Sequence, residues 1–62
     1  MKMNFSNEAL SVLTDRERYV VTRHWGINYD YQSTLDEIAK DLKLTRERVR
    51  QIRDRARGKL NV

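Results

Sequence analysis

Four side chains near the C-terminal end of the sequence carry hydrogen-bonding groups that match the edges of DNA bases: Arg46, Glu47, Arg50 and Gln51. Arginine can donate two hydrogen bonds to O6 and N7 of guanine, a carboxylate can accept one from N4 of cytosine, and glutamine can pair with N6 and N7 of adenine. If Arg46 is placed at 0° and each residue advances by about 100°, all four lie between about 0° and 140° on a helix. This shared face predicts contact with bases in the major groove of double-stranded DNA.

Further cationic side chains flank this face and predict contacts to phosphate groups. They lie near 180–220° and near 340° on the same helical wheel, in rough terms: Arg48, Arg55, Lys59 and Arg53. Phosphate contacts supply affinity without sequence information. Arginine predominates over lysine in this segment, and its planar guanidinium suits bidentate contacts. A solvated arginine-rich helix without a partner is the alternative interpretation.

The apolar residues of the same segment lie together on the remaining side of the wheel. They fall between about 240° and 320°: Val49, Ile52, Ala56 and Leu60. Such a stripe is typical of a helix that packs one side against a core. The base-contacting face is therefore predicted to point to solvent.

The charge of the chain is concentrated in this segment as well. The 62 residues carry a formal net charge of +4. Residues 1–42 contain 5 basic and 7 acidic side chains, whereas residues 43–62 contain 8 basic and 2 acidic ones. The net charge is therefore −2 in the first part and +6 in the second, an asymmetry that favours a polyanionic partner.

The elements that position these side chains are predicted to be two helices joined by a very short turn. Thr34 opens the first helix with a capping box, and Thr45 is a candidate N-cap for the second. Only Lys43 and Leu44 separate the two, so the helices must cross steeply, as in a helix-turn-helix within residues 34–60. The predicted core of this unit consists of Ile38, Ala39, Leu42, Leu44, Val49 and Ile52. Lys43 stands where many such units place glycine, and a generic helical hairpin is the alternative.

Two earlier helices complete the predicted fold. Thr14 opens one of them with another capping box, and Gly26 ends it. Ser6 is predicted to cap a short helix over residues 7–12. The sequence shows no strand pattern. The predicted fold class is all-α: a single domain of residues 1–62, built as a small bundle of about four helices that ends in the helix-turn-helix.

The composition excludes several functional classes. The chain has no cysteine and a single histidine, His24, which excludes a disulfide framework, a thiolate zinc site and a multi-histidine metal site. No apolar run approaches the ~18 residues of a membrane span, and no signal peptide follows Met1. We therefore expect a small soluble intracellular binding domain without a metal or cofactor.

Other side chains that could act in catalysis or binding are explained by structural roles. Asp36 and Glu37 lie in the first turn of a predicted helix, where negative charge is favourable, so we do not expect an enzyme. His24 has no acid or thiol nearby in sequence and is assigned to packing or to the surface. Aromatic residues at apolar positions are assigned to the core rather than to base stacking: Phe5, Tyr19 and Trp25. Tyr29 and Tyr31 lie in the predicted loop between helices. Contact of these two side chains with a partner is the alternative to a purely structural role.

Four segments form a characteristic series along the chain. They are LTDRE at 13–17, WGI at 25–27, TLDEIA at 34–39 and LTRERVRQI at 44–52. In sequence and in spacing, this series resembles region 4 of the principal bacterial sigma factors. The resemblance covers about residues 8–60, which is most of the chain.

The resemblance implies a helical bundle whose helix-turn-helix binds the −35 element of a promoter. It implies that Arg46, Glu47 and Gln51 contact base edges, whereas Arg50 contacts the DNA nearby and Thr45 lies near its backbone. It also implies docking on the β flap of RNA polymerase, with an anti-sigma or activator protein as a further partner. The expected state is a monomer when isolated, and the expected location is the cytoplasm.

Departures from the family pattern leave an alternative function open. Arg57 replaces an apolar residue, and Gly58 lowers helix stability by about 1 kcal/mol relative to alanine; both weaken the expectation of flap docking more than that of DNA binding. Regions 2 and 3 are absent from these 62 residues, so we expect an excised domain or a free-standing small protein, and the lack of an obvious tag favours the latter. The alternative function is a mimic that binds the flap or an anti-sigma partner without contacting bases.

Overall fold

Three helices of this protein have a threonine as their N-cap. The computed structural model describes residues 7–27 and 30–61, whose helices are α1 (Asn7–Leu10), α2 (Asp15–Trp25), α3 (Leu35–Leu42) and α4 (Arg46–Leu60). The side chains of Thr14, Thr34 and Thr45 each accept a hydrogen bond from the backbone N–H three residues later. Each N-cap satisfies an amide that has no carbonyl partner inside its helix.

The N-caps of α2 and α3 are complete capping boxes, as the sequence predicts. The backbone N–H of Thr14 donates to Glu17 Oε1 at 2.9 Å, and that of Thr34 donates to Glu37 Oε1 at 2.8 Å. Every regular element within the described residues is a helix, which confirms the all-α prediction. None of the helices in those two ranges is long and apolar enough to span a bilayer.

The long helices end at residues with left-handed backbone conformation. Gly26 ends α2 with φ 74°, and Asn61 follows α4 with φ 60°. Lys43 ends α3 with φ 57°, at the position where glycine is common in helix-turn-helix units. An L-residue in this conformation costs roughly 1–2 kcal/mol. The backbone N–H of Leu44 donates to Ala39 O at 2.9 Å, which closes the turn and leads directly into α4.

The first helix is shorter than predicted, since it ends at Leu10 rather than at residue 12. Both the backbone N–H and the hydroxyl of Ser11 donate to Glu8 O, at 3.2 and 2.6 Å. These bonds join residues three positions apart instead of the four of an α-helix, and beyond them Leu13 is buried in the core while Val12 is 55% exposed. The predictions for Phe5, Ser6 and Tyr29 concern positions outside the described residues.

Two apolar clusters form the core, and α2 and α4 contribute to both. The first cluster consists of Val20, Leu35, Ile38, Ala39, Val49 and Ile52, with Tyr19, Leu42 and Leu44 partly buried against it. The second cluster consists of Leu10, Leu13, Val21, Ile27 and Ala56, with Trp25 and Leu60 against it. Because α4 enters both clusters, its rotation about its own axis is fixed along most of its length.

A polar contact at the edge of the first cluster joins α2 to the C-terminal half of α3. The hydroxyl of Tyr19 donates to Asp41 Oδ2 at 3.3 Å, and Arg23 Nη2 donates to the same oxygen at 3.2 Å. Arg23 Nη1 also donates to the Tyr19 hydroxyl at 3.0 Å, and its guanidinium carbon lies 5.3 Å from the ring centroid. This contact holds α3, the first helix of the helix-turn-helix, against α2.

The two glycines are expected to respond to alanine in opposite directions. Gly58 is exposed in α4 and a Cβ there would meet no atom within 4 Å, so Gly58→Ala should raise the free energy of unfolding by about 0.8–1.0 kcal/mol. At Gly26, φ is +74° and a Cβ would lie 3.2 Å from Gln32 Cγ, so Gly26→Ala should lower it by about 1–2 kcal/mol. Urea denaturation followed by circular dichroism measures both; changes of the same sign would contradict this interpretation of the two backbones.

Candidate nucleic-acid interface

The first turns of α4 present four polar side chains to solvent, which we call the recognition face: Arg46, Glu47, Arg50 and Gln51. Three of them are exposed, and Arg50 is half-buried. On the other side of the helix, Val49 is fully buried and Ile52 is 5% exposed. The burial of these two residues turns the recognition face outward, in the phase that the sequence predicts. The other predicted core residues are buried or partly buried, as given for the first cluster.

Arg46, the first residue of the recognition face, forms a salt bridge with the neighbouring helix. Arg46 Nε lies 3.5 Å from Oδ1 of Asp36, in the first turn of α3. Both side chains are well exposed, at 66% and 76%, so the pair contributes little to stability. It does show that the Arg46 side chain reaches the first turn of α3. From the sequence, Asp36 is expected only to stabilise the first turn of its own helix. Its contact with Arg46 could not be predicted, because it depends on the angle at which α3 and α4 cross.

A chain of charged hydrogen bonds runs along the rest of the recognition face. Arg50 Nε and Nη2 donate to the two carboxylate oxygens of Glu47 at 2.9 and 2.5 Å, while its Nη1 donates to Asp54 Oδ2 at 2.8 Å. Arg53 Nε and Nη2 donate to Asp54 Oδ1 at 3.1 and 2.9 Å. We call these four residues the α4 network. The spacing of Glu47, Arg50 and Asp54, three and four residues apart, would have indicated their contacts in the sequence, whereas Arg53 and Asp54 are adjacent.

The α4 network favours the charged forms of Glu47, Arg50 and Asp54. The hydrogen bonds from Arg50 are the largest cause of a lowered pKa at Glu47, and partial desolvation opposes them. The hydrogen bonds from Arg53 are the largest cause of a lowered pKa at Asp54. The pKa of Arg50 is raised, chiefly by Glu47. All these groups are therefore ionised at neutral pH, and Glu47 can act only as a hydrogen-bond acceptor.

The predicted phosphate-contacting residues fall into two groups. Arg48 and Arg55 are exposed, and no salt bridge joins them to a carboxylate within residues 7–27 and 30–61. Arg53 is held by Asp54, and Lys59 donates to Glu17 Oε1 at 2.8 Å. Thr45 is exposed and caps α4 by accepting from Arg48 N–H at 3.1 Å. The structure thus leaves Arg48 and Arg55 with their charges available.

A groove between the start of α2 and one side of α4 is lined in part by Arg16, a cation that the sequence did not indicate as a candidate. Its lining residues are Thr14, Arg16, Glu17, Arg48, Ile52, Arg55 and Lys59. Arg16 is exposed and, like its two arginine neighbours, has no salt bridge within the described parts of the chain. In the sequence Arg16 stands inside a capping box, and only the packing of α2 on α4 places it beside Arg48 and Arg55.

The remaining candidate side chains have structural contacts. His24 Nδ1 lies 3.0 Å from the carbonyl oxygen of Ser33, which ties α2 to the segment before α3. Tyr19 and Trp25 are partly buried against the two clusters, whereas Tyr31 is 70% exposed. In the part of the chain that the structure describes, no three His, Asp or Glu side chains lie close enough together to hold a metal ion.

Comparison with known proteins gives concordant results. The family model described as sigma-70, region 4 matches residues 9–61. The chain is 41% identical over 54 residues to the RNA polymerase sigma factor SigA of Lactococcus lactis subsp. cremoris, and 41% identical over 54 residues to that of Lactococcus lactis subsp. lactis strain IL1403. These matches cover 87% of this chain but only 15% and 14% of the respective relatives.

The ion pair between Glu17 and Lys59 should make the fold sensitive to acid. Glu17 is buried, and hydrogen bonding from Lys59 is the largest cause of its lowered pKa, ahead of opposing desolvation and the bond from Thr14. A carboxyl group with a lowered pKa in the folded state stabilises above its unfolded pKa and loses that effect as pH falls through the folded value. Glu17→Gln should therefore lower the free energy of unfolding at pH 7 by about 1–3 kcal/mol and flatten its decline below about pH 4.

The matched control for this variant is Glu37→Gln, which removes the equivalent carboxylate of the other capping box. Glu37 is exposed and its pKa is lowered mainly by bonds from Thr34, so only the effect of an N-cap, about 0.5–1 kcal/mol, is expected. Chemical denaturation of both variants from pH 3 to 7 makes the comparison. Equal losses in the two variants would show that Lys59 adds nothing to the capping box.

Proposed function

The chain belongs to the sigma-70 region 4 family, and on that basis we propose that it binds a promoter −35-like element through the recognition face of α4. In this proposal α4 enters the major groove of double-stranded DNA. Arg46, Glu47 and Gln51 contact base edges, and Arg50 lies against the DNA beside them. The observation that carries the proposal is the orientation of α4, whose buried stripe leaves these side chains exposed.

The charge distribution around α4 supports binding to a duplex. Arg48 and Arg55 lie on one side of the recognition face, and Arg16 extends this surface onto α2. We assign these three arginines to phosphate groups, together with Thr45, Arg53 and Lys59 from the sequence analysis. Thr45 stands at the N-terminus of α4, where backbone N–H groups and the helix dipole favour an anion. The ion pairs of Arg53 and Lys59 must loosen before these two residues can make the contact.

RNA polymerase is the second partner in this proposal, since one helix-turn-helix alone provides few contacts. Tethering to the polymerase would raise the effective concentration at the promoter. Apolar side chains remain accessible far from the recognition face: Val12 is 55% exposed, and Trp25 and Leu60 are partly exposed against the second cluster. Leu60 lies about 21 Å along α4 from Arg46, at 1.5 Å per residue. The β flap and promoter DNA, both in the cytoplasm, can therefore be contacted together.

The direct test is a binding titration of this chain against a −35 duplex and a scrambled duplex of equal length at fixed salt concentration. Fluorescence anisotropy of a labelled duplex should give a lower dissociation constant for the −35 duplex. One bidentate base contact discriminates by about 1–3 kcal/mol. Equal dissociation constants for the two duplexes would contradict base recognition and favour the alternative function, a flap-binding or anti-sigma-binding mimic.

Substitutions should separate base contacts from phosphate contacts. Arg46→Ala and Glu47→Ala should each weaken binding to the −35 duplex by about 1–3 kcal/mol and relax discrimination at a single base pair. Arg55→Ala and Arg16→Ala should weaken binding to both duplexes alike and reduce the salt slope by about one. Titrations of each variant at three salt concentrations measure both quantities. If Arg46→Ala keeps full discrimination, the assignment of the recognition face is wrong.

A further inference from the structure

We propose that Asp54 is a positioning residue for DNA recognition, one that holds Arg50 along α4 and thereby fixes the carboxylate of Glu47. This inference rests on the proposed function, because it concerns how the recognition face works once α4 lies in the groove. Asp54 lies seven residues after Glu47, two turns along the helix. It therefore acts on the recognition face through Arg50 rather than by its own contact with a base.

The geometry makes Arg50 a bridge between two carboxylates. Its Nε and Nη2 donate to Oε1 and Oε2 of Glu47, and its Nη1 donates to Oδ2 of Asp54 at 2.8 Å. The other oxygen of Asp54 accepts two hydrogen bonds from Arg53, at 3.1 and 2.9 Å. Both oxygens of Asp54 are therefore occupied by arginines, and neither arginine can turn away without breaking a charged hydrogen bond.

The first consequence concerns Glu47. A carboxylate held by two parallel hydrogen bonds loses much of its rotational freedom before DNA arrives, so less entropy is lost when it binds. Each carboxylate oxygen keeps a second lone pair that can accept from N4 of cytosine. Because Asp54 fixes the far side of the Arg50 guanidinium, it maintains the bidentate geometry that orients Glu47.

The second consequence concerns affinity for any duplex. Asp54 engages Arg50 and Arg53, whereas Arg48, Arg55 and Arg57 have no salt bridge in the described residues. Arg53 is thus withheld from phosphate groups by Asp54, and Arg50 is held by Asp54 together with Glu47. Since phosphate contacts are independent of sequence, Asp54 lowers binding to all sequences. The first consequence raises the ratio of specific to non-specific affinity, whereas the second lowers the affinity for every duplex.

The test is Asp54→Asn, which keeps the size of the side chain and removes its charge. Dissociation constants are measured for the −35 duplex, its set of single base-pair substitutions and the scrambled duplex, each at three salt concentrations. We expect binding to the scrambled duplex to tighten about threefold and its salt slope to steepen by about one, because Arg53 is released while Arg50 stays bound to Glu47. Discrimination should fall at the base pair whose recognition is lost in Glu47→Ala, and Asp54→Glu should restore part of it.

Two controls separate this role from a general effect of charge or stability. Asp30→Asn changes the net charge equally, and Asp30 has no salt bridge in the described part of the chain, so discrimination should stay at the wild-type level. In a Glu47→Ala background, Asp54→Asn should change the salt slope but no longer alter discrimination. Thermal unfolding of each variant, followed by circular dichroism, identifies the temperature range in which all of them are folded.

The outcomes distinguish this inference from the proposed function. If wild-type protein binds −35 and scrambled duplexes equally, the proposed function fails, and this inference fails with it. If wild-type protein discriminates and folded Asp54→Asn discriminates equally with an unchanged salt slope, only the role of Asp54 is overturned. An effect of Asp54→Asn on discrimination that persists in the Glu47→Ala background would also overturn it, because the effect would not pass through Glu47.

Discussion

The rotation of α4 about its axis is the constraint on which the rest of this structure depends. Val49 and Ile52 bury one side of the helix in the first cluster, and Ala56 continues the same stripe in the second. Because each contact fixes the same rotation, the side that carries the recognition face has only one available direction. A helix of 15 residues would be marginal on its own in water. Its tertiary contacts therefore determine both that it forms and which side chains it presents.

The electrostatics of α4 depend on pairing more than on the count of charges. The last third of the chain has a net charge of +6, yet its cations differ in what they can do. Arg50 and Arg53 are engaged within the helix, and Arg46 and Lys59 reach carboxylates on other helices, whereas the remaining arginines form no salt bridge with any residue that the structure describes. The pairs between exposed side chains, such as Arg46 with Asp36, contribute little to stability, whereas Lys59 is paired with a buried carboxylate; all of these pairs determine where a side chain lies. The same net charge with other pairings would give a different interface.

Local interactions explain how much of the fold could be predicted from the sequence. The N-caps at Thr14, Thr34 and Thr45 and the stop at Gly26 involve residues within a few positions of each other, and these predictions are confirmed. Ser11 led to the one wrong boundary, since its hydrogen bonds to Glu8 end α1 early. The phase of α4 follows from apolar spacing and is likewise confirmed by burial. The position of Arg16 in the groove and the contact of Lys59 with Glu17 could not be predicted, because they depend on how α2 and α4 cross.

The carboxylate of Glu17 takes part in a local N-cap and in a long-range tertiary contact, and it thereby links the opening of two helix ends. Its carboxylate completes the first turn of α2 through Thr14 and also accepts from Lys59, 42 residues later in the chain. The last turns of α4 therefore cannot fray without leaving a buried carboxylate short of a donor at the start of α2. Terminal helical turns ordinarily exchange their amide hydrogens rapidly through local opening. Because one side-chain contact joins the two ends, we expect their amides to exchange together rather than independently.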